Sequence, residues 1–295
     1  MKDNIKQDIA LPICTRRSVL KTIASIFDPL GFFCPWVLEA KMFLQSTVKE
    51  TKNWDEELIH RTPYWLKIRQ NLSLSSKFDI KRSLYHTDVL HYELHIFSDA
   101  SAESYGACAY LRQVCENENI IDLIFAKQRL KPVNKDRLTI PRLELMGALI
   151  GCRILNFLRG CIQKEISTTY LWCDSKCVLG WLRSNKILPA FVERRVTEIK
   201  RSKIDFLAYV ASESNPANLL TRIQNEDDEE ILQINKPGPQ ATSTPGFRPA
   251  RDKRRRQSVT FEIPVKPPVM TDRTPPTASE TMKDVEKFLD SLAKK

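Results

Sequence analysis

The sequence predicts an α/β domain in the middle of the chain, a mixed five-stranded sheet with flanking helices. Three observations predict it. Three segments of strand-like alternation follow one another between His91 and Gln128. A long stretch of helical period, Pro141 to Arg159, comes next. Short strand and helix patterns then alternate as far as Val210. The order strand-strand-strand-helix-strand-helix-helix-strand suits a sheet whose faces are closed by helices.

Each element has its own signal. His91 to Ser98 sets Tyr92, Leu94 and Ile96 on one face, the period of two that a half-buried strand requires. Tyr105 to Arg112 repeats that period through Tyr105, Ala107, Ala109 and Leu111, and Ile120 to Gln128 is a third apolar strand. So closely spaced, the three are expected to pair antiparallel. Leu143, Met146, Ile150, Ile154 and Phe157 follow the helical period, and Pro141 suits a first turn, where its missing N–H costs nothing. Thr169 to Cys173 reads as a strand, Ser175 to Arg183 and Phe191 to Arg201 as helices, and Phe206 to Val210 as the last strand.

The flanks differ. In residues 1–87, Leu20, Ile23, Ala24 and Phe27 have helical spacing, as do Val37, Lys41 and Leu44. Between them Asp28-Pro29-Leu30-Gly31 signals a turn. Trp54 and Trp65 add packing surface, but too little for an independent core. From 225 onward, behind the acidic run Glu226 to Glu230, the composition turns to Pro, Thr, Ser and Arg, the mark of a disordered basic tail. Near its end Met282, Val285, Leu289 and Leu292 share a helical face, with capping-box spacing from Thr281 to Asp284. So short a helix needs a protein partner to hold it.

A net charge of +10 favours acidic partners such as nucleic acid. The eight cysteines are scattered and form no dense framework, which points to a reduced intracellular protein of the cytoplasm or nucleus. The polar start, Met-Lys-Asp-Asn, shows no secretory signal. No apolar run approaches the roughly 20 residues that span a bilayer, so no membrane is expected as partner.

Acidic residues recur at the ends of the predicted elements. Asp99 ends the first strand, Glu144 lies in the first turn of the long helix, and Asp174 ends the fourth strand. If the first and fourth strands are neighbours, Asp99 and Asp174 emerge side by side. Carboxylates at one sheet end repel one another unless a cation lies between them. Hard oxygen ligands select Mg²⁺ or Mn²⁺. Each acid alone reads equally as a turn residue or helix cap; their order and local contexts carry the signal.

Those contexts form a series. Phe97-Ser98-Asp99-Ala100-Ser101, Ala126-Lys127-Gln128-Arg129-Leu130 and Thr139-Ile140-Pro141-Arg142-Leu143-Glu144-Leu145 come first. Trp172-Cys173-Asp174-Ser175, Phe191 to Val196 and Asn215-Pro216-Ala217-Asn218-Leu219-Leu220-Thr221-Arg222 follow. Together they resemble successive blocks of the ribonuclease H-like domain of BEL/Pao retrotransposon polyproteins. Ser25 to Gly31 resembles the segment that follows the reverse transcriptase palm in the same polyproteins, so residues 1–87 read as a remnant of a thumb or connection-like region. The resemblance spans about 15 to 222, leaving residues 225–295 outside it. It implies a ribonuclease H-like fold over 88–224 and two-metal hydrolysis of the RNA strand of an RNA–DNA hybrid. In that scheme Asp99 bridges both ions, Glu144 and Asp174 complete the side that stabilises the leaving oxygen, and position 218 holds the ion that activates water. The family pattern at that position is Asn-Pro-Ala-Asp, whereas this chain has Asn218. An amide oxygen still coordinates, but without a full charge, so weaker ion binding and slower turnover are expected.

Competing chemistries fail on named residues. The family carries a peptidase label, yet no Asp-Thr-Gly or Asp-Ser-Gly loop is present, and Asp174-Ser175 is followed by Lys176. No Tyr-x-Asp-Asp polymerase signature occurs. Cys173 and Cys177 have no second pair nearby for zinc. His60, His86, His91 and His95 form no ligand pair on a helix. For the hybrid, Lys127, Arg129, Lys131, Lys135, Arg137 and Arg142 offer a basic segment suited to phosphates, or simply a solvated loop. In the tail, Lys253 to Arg256 reads as a localisation or nucleic-acid patch or as plain solvated charge, and Ser258 as a phosphorylation site beside it. Two function classes remain: a metal-dependent nuclease impaired at Asn218, and an inactive remnant that binds nucleic acid or a protein partner.

Overall fold

The computed structural model describes residues 14–74, 80, 83–116, 119–133 and 138–223. The chain divides into two compact units, Met1–Gln240 and Ala241–Lys295, and everything described lies in the first. The tail, its basic run and its terminal helix lie outside the described residues.

Five strands form one sheet: β1 (Val89–Ala100), β2 (Ser104–Cys115), β3 (Asn119–Leu130), β4 (Ile166–Cys173) and β5 (Phe206–Tyr209), in the order β3-β2-β1-β4-β5. The first three pair antiparallel, as their spacing predicts, with Leu94 opposite Leu111 and Ala107 opposite Lys127. β4 lies parallel to β1 and β5 parallel to β4. A parallel neighbour requires a crossover, and the helix α4 (Ile140–Cys161) supplies it. The helices before the sheet are α1 (Arg16–Ser25), α2 (Cys34–Thr47) and α3 (Thr62–Leu74), and those after α4 are α5 (Lys176–Arg183) and α6 (Ala190–Arg201).

The main core lies between the sheet and α4. Leu94, Ile96, Ala107, Ala109 and Leu171 meet Leu143, Leu155 and Ile154 there, with α5 and α6 adding Val178, Leu182, Val192 and Val196. α4 can lie so close because of Gly147: a Cβ there would meet the Asp99 carbonyl oxygen at 2.7 Å. A helical glycine costs about 1 kcal/mol in propensity, and here the close approach requires it.

The alternation read in the first strand predicts one buried face, but both are buried from Ile96 to Ala100. The second face carries its own cluster: Phe97, Cys108 and Ala126 pack against Cys34, Val210, Ala217 and Leu220. The upstream helical segment and the C-terminal turn therefore cover the face that α4 leaves open. Against the expectation of too little packing surface, the segment has a core of its own, with Val19, Phe43, Trp65, Ile68 and Leu72 together and the Phe43 and Trp65 rings stacked 5.4 Å apart.

The apolar face read for α1 needs correction. Phe27 lies beyond the helix end and is 65% exposed, and Leu20 is exposed as well. The buried residues of α1 are Arg16 and Val19. A capping box sets the helix start: the Thr15 hydroxyl accepts from the Ser18 N–H, and Ser18 in turn holds the Thr15 N–H. Arg16 is buried because its guanidinium donates to the Thr51 carbonyl at 3.0 Å and lies over the Trp54 ring. The Asp28 turn forms as expected. Its carboxylate accepts from the Phe32 and Phe33 N–H groups at 2.8 Å each, and Gly31 adopts φ +80.

On the sheet face opposite α4, His95 stacks on Tyr170 with ring centroids 4.5 Å apart. The Trp172 indole N–H donates to His95 Nδ1 at 3.1 Å, so His95 is neutral and carries its proton on Nε2, which faces Glu93 at 3.1 Å. Arg112 pairs with the same Glu93 oxygen at 2.8 Å. All eight cysteines are free. Among the described residues, no helix is long and apolar enough to cross a membrane.

Candidate active site

The sheet topology brings the predicted acids to one end. β1 and β4 run the same way, with Ser98 opposite Cys173. Asp99 and Asp174 are the residues that follow this pair, so they emerge together. Glu144 does not lie in the first turn of α4, as its distance from Pro141 suggested. The helix begins at Ile140, which puts Glu144 at the start of the second turn. That extra turn, with the close approach at Gly147, carries its carboxyl to the strand ends.

Each inner carboxyl is held by a hydroxyl. Asp99 is 3% exposed, and its Oδ2 accepts from the Thr221 hydroxyl. Glu144 Oε2 accepts from the Ser175 hydroxyl, whose oxygen also caps α5 by accepting from the Val178 N–H at 3.2 Å. Burial pushes the Asp99 carboxyl above its ordinary range; the Thr221 bond opposes this, and the nearby charge of Asp174 adds to it. Burial likewise raises Glu144, opposed by Ser175 and reinforced by Asp174 and Asp99. The charge of Asp174 therefore reaches both of the other carboxyls. Asp174 Oδ1 is buried with no hydrogen-bond partner.

Asn218 lies in the 3₁₀ turn Pro216–Leu220. Its amide nitrogen donates to the Ser212 carbonyl, and its Oδ1 is buried without a partner. The side chain thus faces Ser212, while Thr221, three residues on, reaches Asp99.

The donor set is oxygen only, the chemistry that a hard divalent ion requires. One of its oxygens, Asp174 Oδ1, is buried and unpaired, a costly condition that a ligand relieves; Asn218 Oδ1 is likewise buried and unpaired, on a side chain that faces Ser212. Among the described residues, no three His, Cys, Asp or Glu side chains already close into a ligand cage. Asp99 and Glu144 each give one oxygen to a hydroxyl partner.

The predicted basic residues are spread out. Lys127 and Arg129 lie on β3 opposite Ala107 and Tyr105, and so on the face that carries α4. Lys131 follows the strand, with its backbone tied to Glu103 and to the Gln45 side chain. Arg142, in the first turn of α4, lies 5.3 Å from the centre of the Phe191 ring of α6, and Arg195 approaches that ring at 3.5 Å. Lys135 and Arg137 lie outside the described residues.

Sequence reading missed Thr221, Ser175 and Asn215. Asn215 donates to the Ser98 carbonyl at 3.0 Å and caps its own turn at the Ala217 N–H. The available signal was position: each lies in the same short block as a recognised site residue.

The family model described as Pao retrotransposon-like RNaseH-like domain matches residues 15–175, more than half of the chain. No curated protein matches. Among solved structures, the chain is similar to RNase H1 of the halophilic archaeon Halobacterium salinarum, at 11% identity and TM-score 0.26, covering 43% of this chain and 90% of that one. It is similar to an N-terminal RNase H domain from Mycobacterium tuberculosis, at 12% identity and TM-score 0.30, covering 48% and 96%. A foamy viral protease-reverse transcriptase, solved with double-stranded DNA, matches at 14% identity and TM-score 0.41, covering 73% of this chain and 35% of that one.

Proposed function

Because the chain belongs to the Pao retrotransposon-like RNaseH-like domain family, we propose that it is a retrotransposon-derived ribonuclease H-type endonuclease, impaired at position 218. Its substrate is the RNA strand of an RNA–DNA hybrid and its cofactor Mg²⁺ or Mn²⁺. One observation carries the reading: β1, α4 and the end of β4 bring three carboxyls together, two of them buried and raised, with the charge of Asp174 reaching both Asp99 and Glu144. Such a concentration of negative charge is unfavourable without a cation. Asp99, Glu144 and Asp174 are the groups that would hold the metal. Bound as a pair, such ions stabilise the attacking and leaving oxygens of an in-line displacement. Asn218 offers a neutral oxygen where the family pattern has a carboxylate, and turnover is slow for that reason. Lys127, Arg129, Lys131 and Arg142 serve as phosphate contacts, giving salt-dependent, sequence-independent binding. The helices α1 to α3 correspond to the segment that follows the reverse transcriptase in the polyprotein, and the protein acts in the cytoplasm or nucleus.

A second reading, an inactive nucleic-acid-binding or partner-binding remnant, has one observation in its favour. The Asn218 amide donates to a carbonyl, which a carboxylate cannot do. Residue 218 has a structural bond that would not survive restoration of the acid.

The test is cleavage of a labelled RNA–DNA hybrid in Mg²⁺ and in Mn²⁺ by the natural chain, Asn218→Asp and Asp99→Asn. Slow cleavage by the natural chain, abolished in Asp99→Asn, is the expected result. Silence in all three folded proteins refutes the enzyme and leaves the binding remnant.

A further inference from the structure

The turn that carries Asn218 is stitched to β1 and to the start of β2 by contacts that do not involve the residue 218 side chain. Asn215 donates to the Ser98 carbonyl at 3.0 Å. The Ser104 hydroxyl donates to the Thr221 carbonyl at 3.0 Å. The Thr221 N–H donates to the Asn218 carbonyl at 3.0 Å, and its hydroxyl oxygen lies 3.1 Å from that carbonyl with its single proton given to Asp99. The same hydroxyl reaches Asp99 Oδ2. Thr221 is 2% exposed, Asn215 3% and Ser104 fully buried, so water does not compete for these bonds. Behind them Ala217 and Leu220 fill the apolar cluster around Phe97.

A carboxylate on a strand end has two free side-chain torsions. Asp99 has its backbone fixed by the sheet and by Gly147, but its carboxyl plane is set by whatever its oxygens touch. One oxygen touches Thr221. The Ala100 N–H adds a backbone contact to the same carboxyl, and Thr221 is the side chain that holds it. We propose that Thr221 is a positioning residue for Asp99: its hydroxyl orients the carboxylate for cation binding, and the Asn215–Thr221 turn serves this site as a clamp whatever stands at 218. The inference rests on the metal-site reading given above. Ser175 makes the corresponding contact to Glu144, but it also caps α5, so Thr221 is the cleaner test.

The experiment is Mn²⁺ binding to the full chain, read by electron paramagnetic resonance of the free ion. It compares the natural protein, Thr221→Val, Thr221→Ser and Asp99→Asn, each also in the Asn218→Asp background. Thermal melting in chelator confirms that each variant is folded. Valine keeps the shape of threonine and removes the hydroxyl; serine keeps the hydroxyl. Loss of a hydrogen bond to a ligating carboxylate weakens metal binding roughly 10- to 100-fold. The expected result is that order of loss in Thr221→Val, near-natural affinity in Thr221→Ser, and no site in Asp99→Asn. Equal binding by Thr221→Val and the natural protein, with Asp99→Asn silent, overturns the positioning role and leaves the metal site standing. Equal weakening in Thr221→Val and Thr221→Ser also overturns it, since the methyl rather than the hydroxyl would then matter. No Mn²⁺ binding in either background overturns the metal-site reading and the clamp with it.

Discussion

Introducing a carboxylate by Asn218→Asp should weaken the fold while strengthening cation binding. The Asn218 amide nitrogen donates to the Ser212 carbonyl. An aspartate sets an oxygen against that carbonyl, losing one hydrogen bond and adding a repulsion. Loss of a bond with a buried partner left behind costs about 1–3 kcal/mol. The Ser212 carbonyl keeps its bond from the Asn215 N–H at 3.1 Å, so the cost belongs toward the lower end. For a unit of this size each kcal/mol moves the melting temperature by roughly 2–4 °C. Asn218→Asp should therefore melt a few degrees below the natural chain in chelator. With Mg²⁺ at 100 times its dissociation constant, binding returns about 2.7 kcal/mol. The variant should then match or exceed the natural chain. Differential scanning fluorimetry in chelator and across a Mg²⁺ series measures both effects. A variant that melts at or above the natural temperature in chelator refutes the structural role of the amide. One that gains no more from Mg²⁺ than the natural chain refutes the ion-binding role of the acid.

Further outcomes follow from the charged groups. Burial raises the Asp99 and Glu144 carboxyls above their unfolded values. Stability from such groups is fully present below the unfolded pKa and lost as pH rises through the folded one. The share of metal-free stability that these two groups supply should thus fall as pH rises through the carboxylate range, and urea titrations at several pH values should show Asp99→Asn losing less stability over that range than the natural chain. His95 is shifted the other way: burial lowers it, against the pull of Glu93. Its contribution is present above the unfolded value and fades as pH falls through the folded one. Trp172→Phe removes the indole N–H that faces Nδ1. It should raise the His95 pKa, as followed by the imidazole signals in a nuclear magnetic resonance titration; an unchanged or lower value would discount the indole's hold on the ring.

Much of the domain was legible because its signals are local. Alternation from Tyr92 to Ile96 and from Tyr105 to Leu111, and the helical period from Leu143 to Phe157, survive in β1, β2 and α4. Asp99 and Asp174 were legible as a pair because parallel neighbours end at the same side. The misreadings are long-range. Leu20 and Phe27 have helical spacing, but what α1 packs against is decided by Phe43 and Trp65, far along the chain. The second buried face of β1 depends on Cys34 and Leu220, one from each flank. Thr221 is an ordinary polar residue until a contact 122 positions away gives it Asp99.

Gly31 has a consequence for how the chain can be handled. β3 is an outer strand of the sheet. The Ala126 N–H on it donates to the Leu30 carbonyl at 2.8 Å, and a Cβ on Gly31 would overlap the Ala126 oxygen at 1.8 Å. Gln128 is held on the same strand by the Cys34 carbonyl at 2.6 Å. Unpaired outer strands recruit strands from other molecules and seed aggregates. The upstream helices therefore act as a solubility guard, and a recombinant fragment cut at residue 88 to isolate the sheet would bare this strand and self-associate.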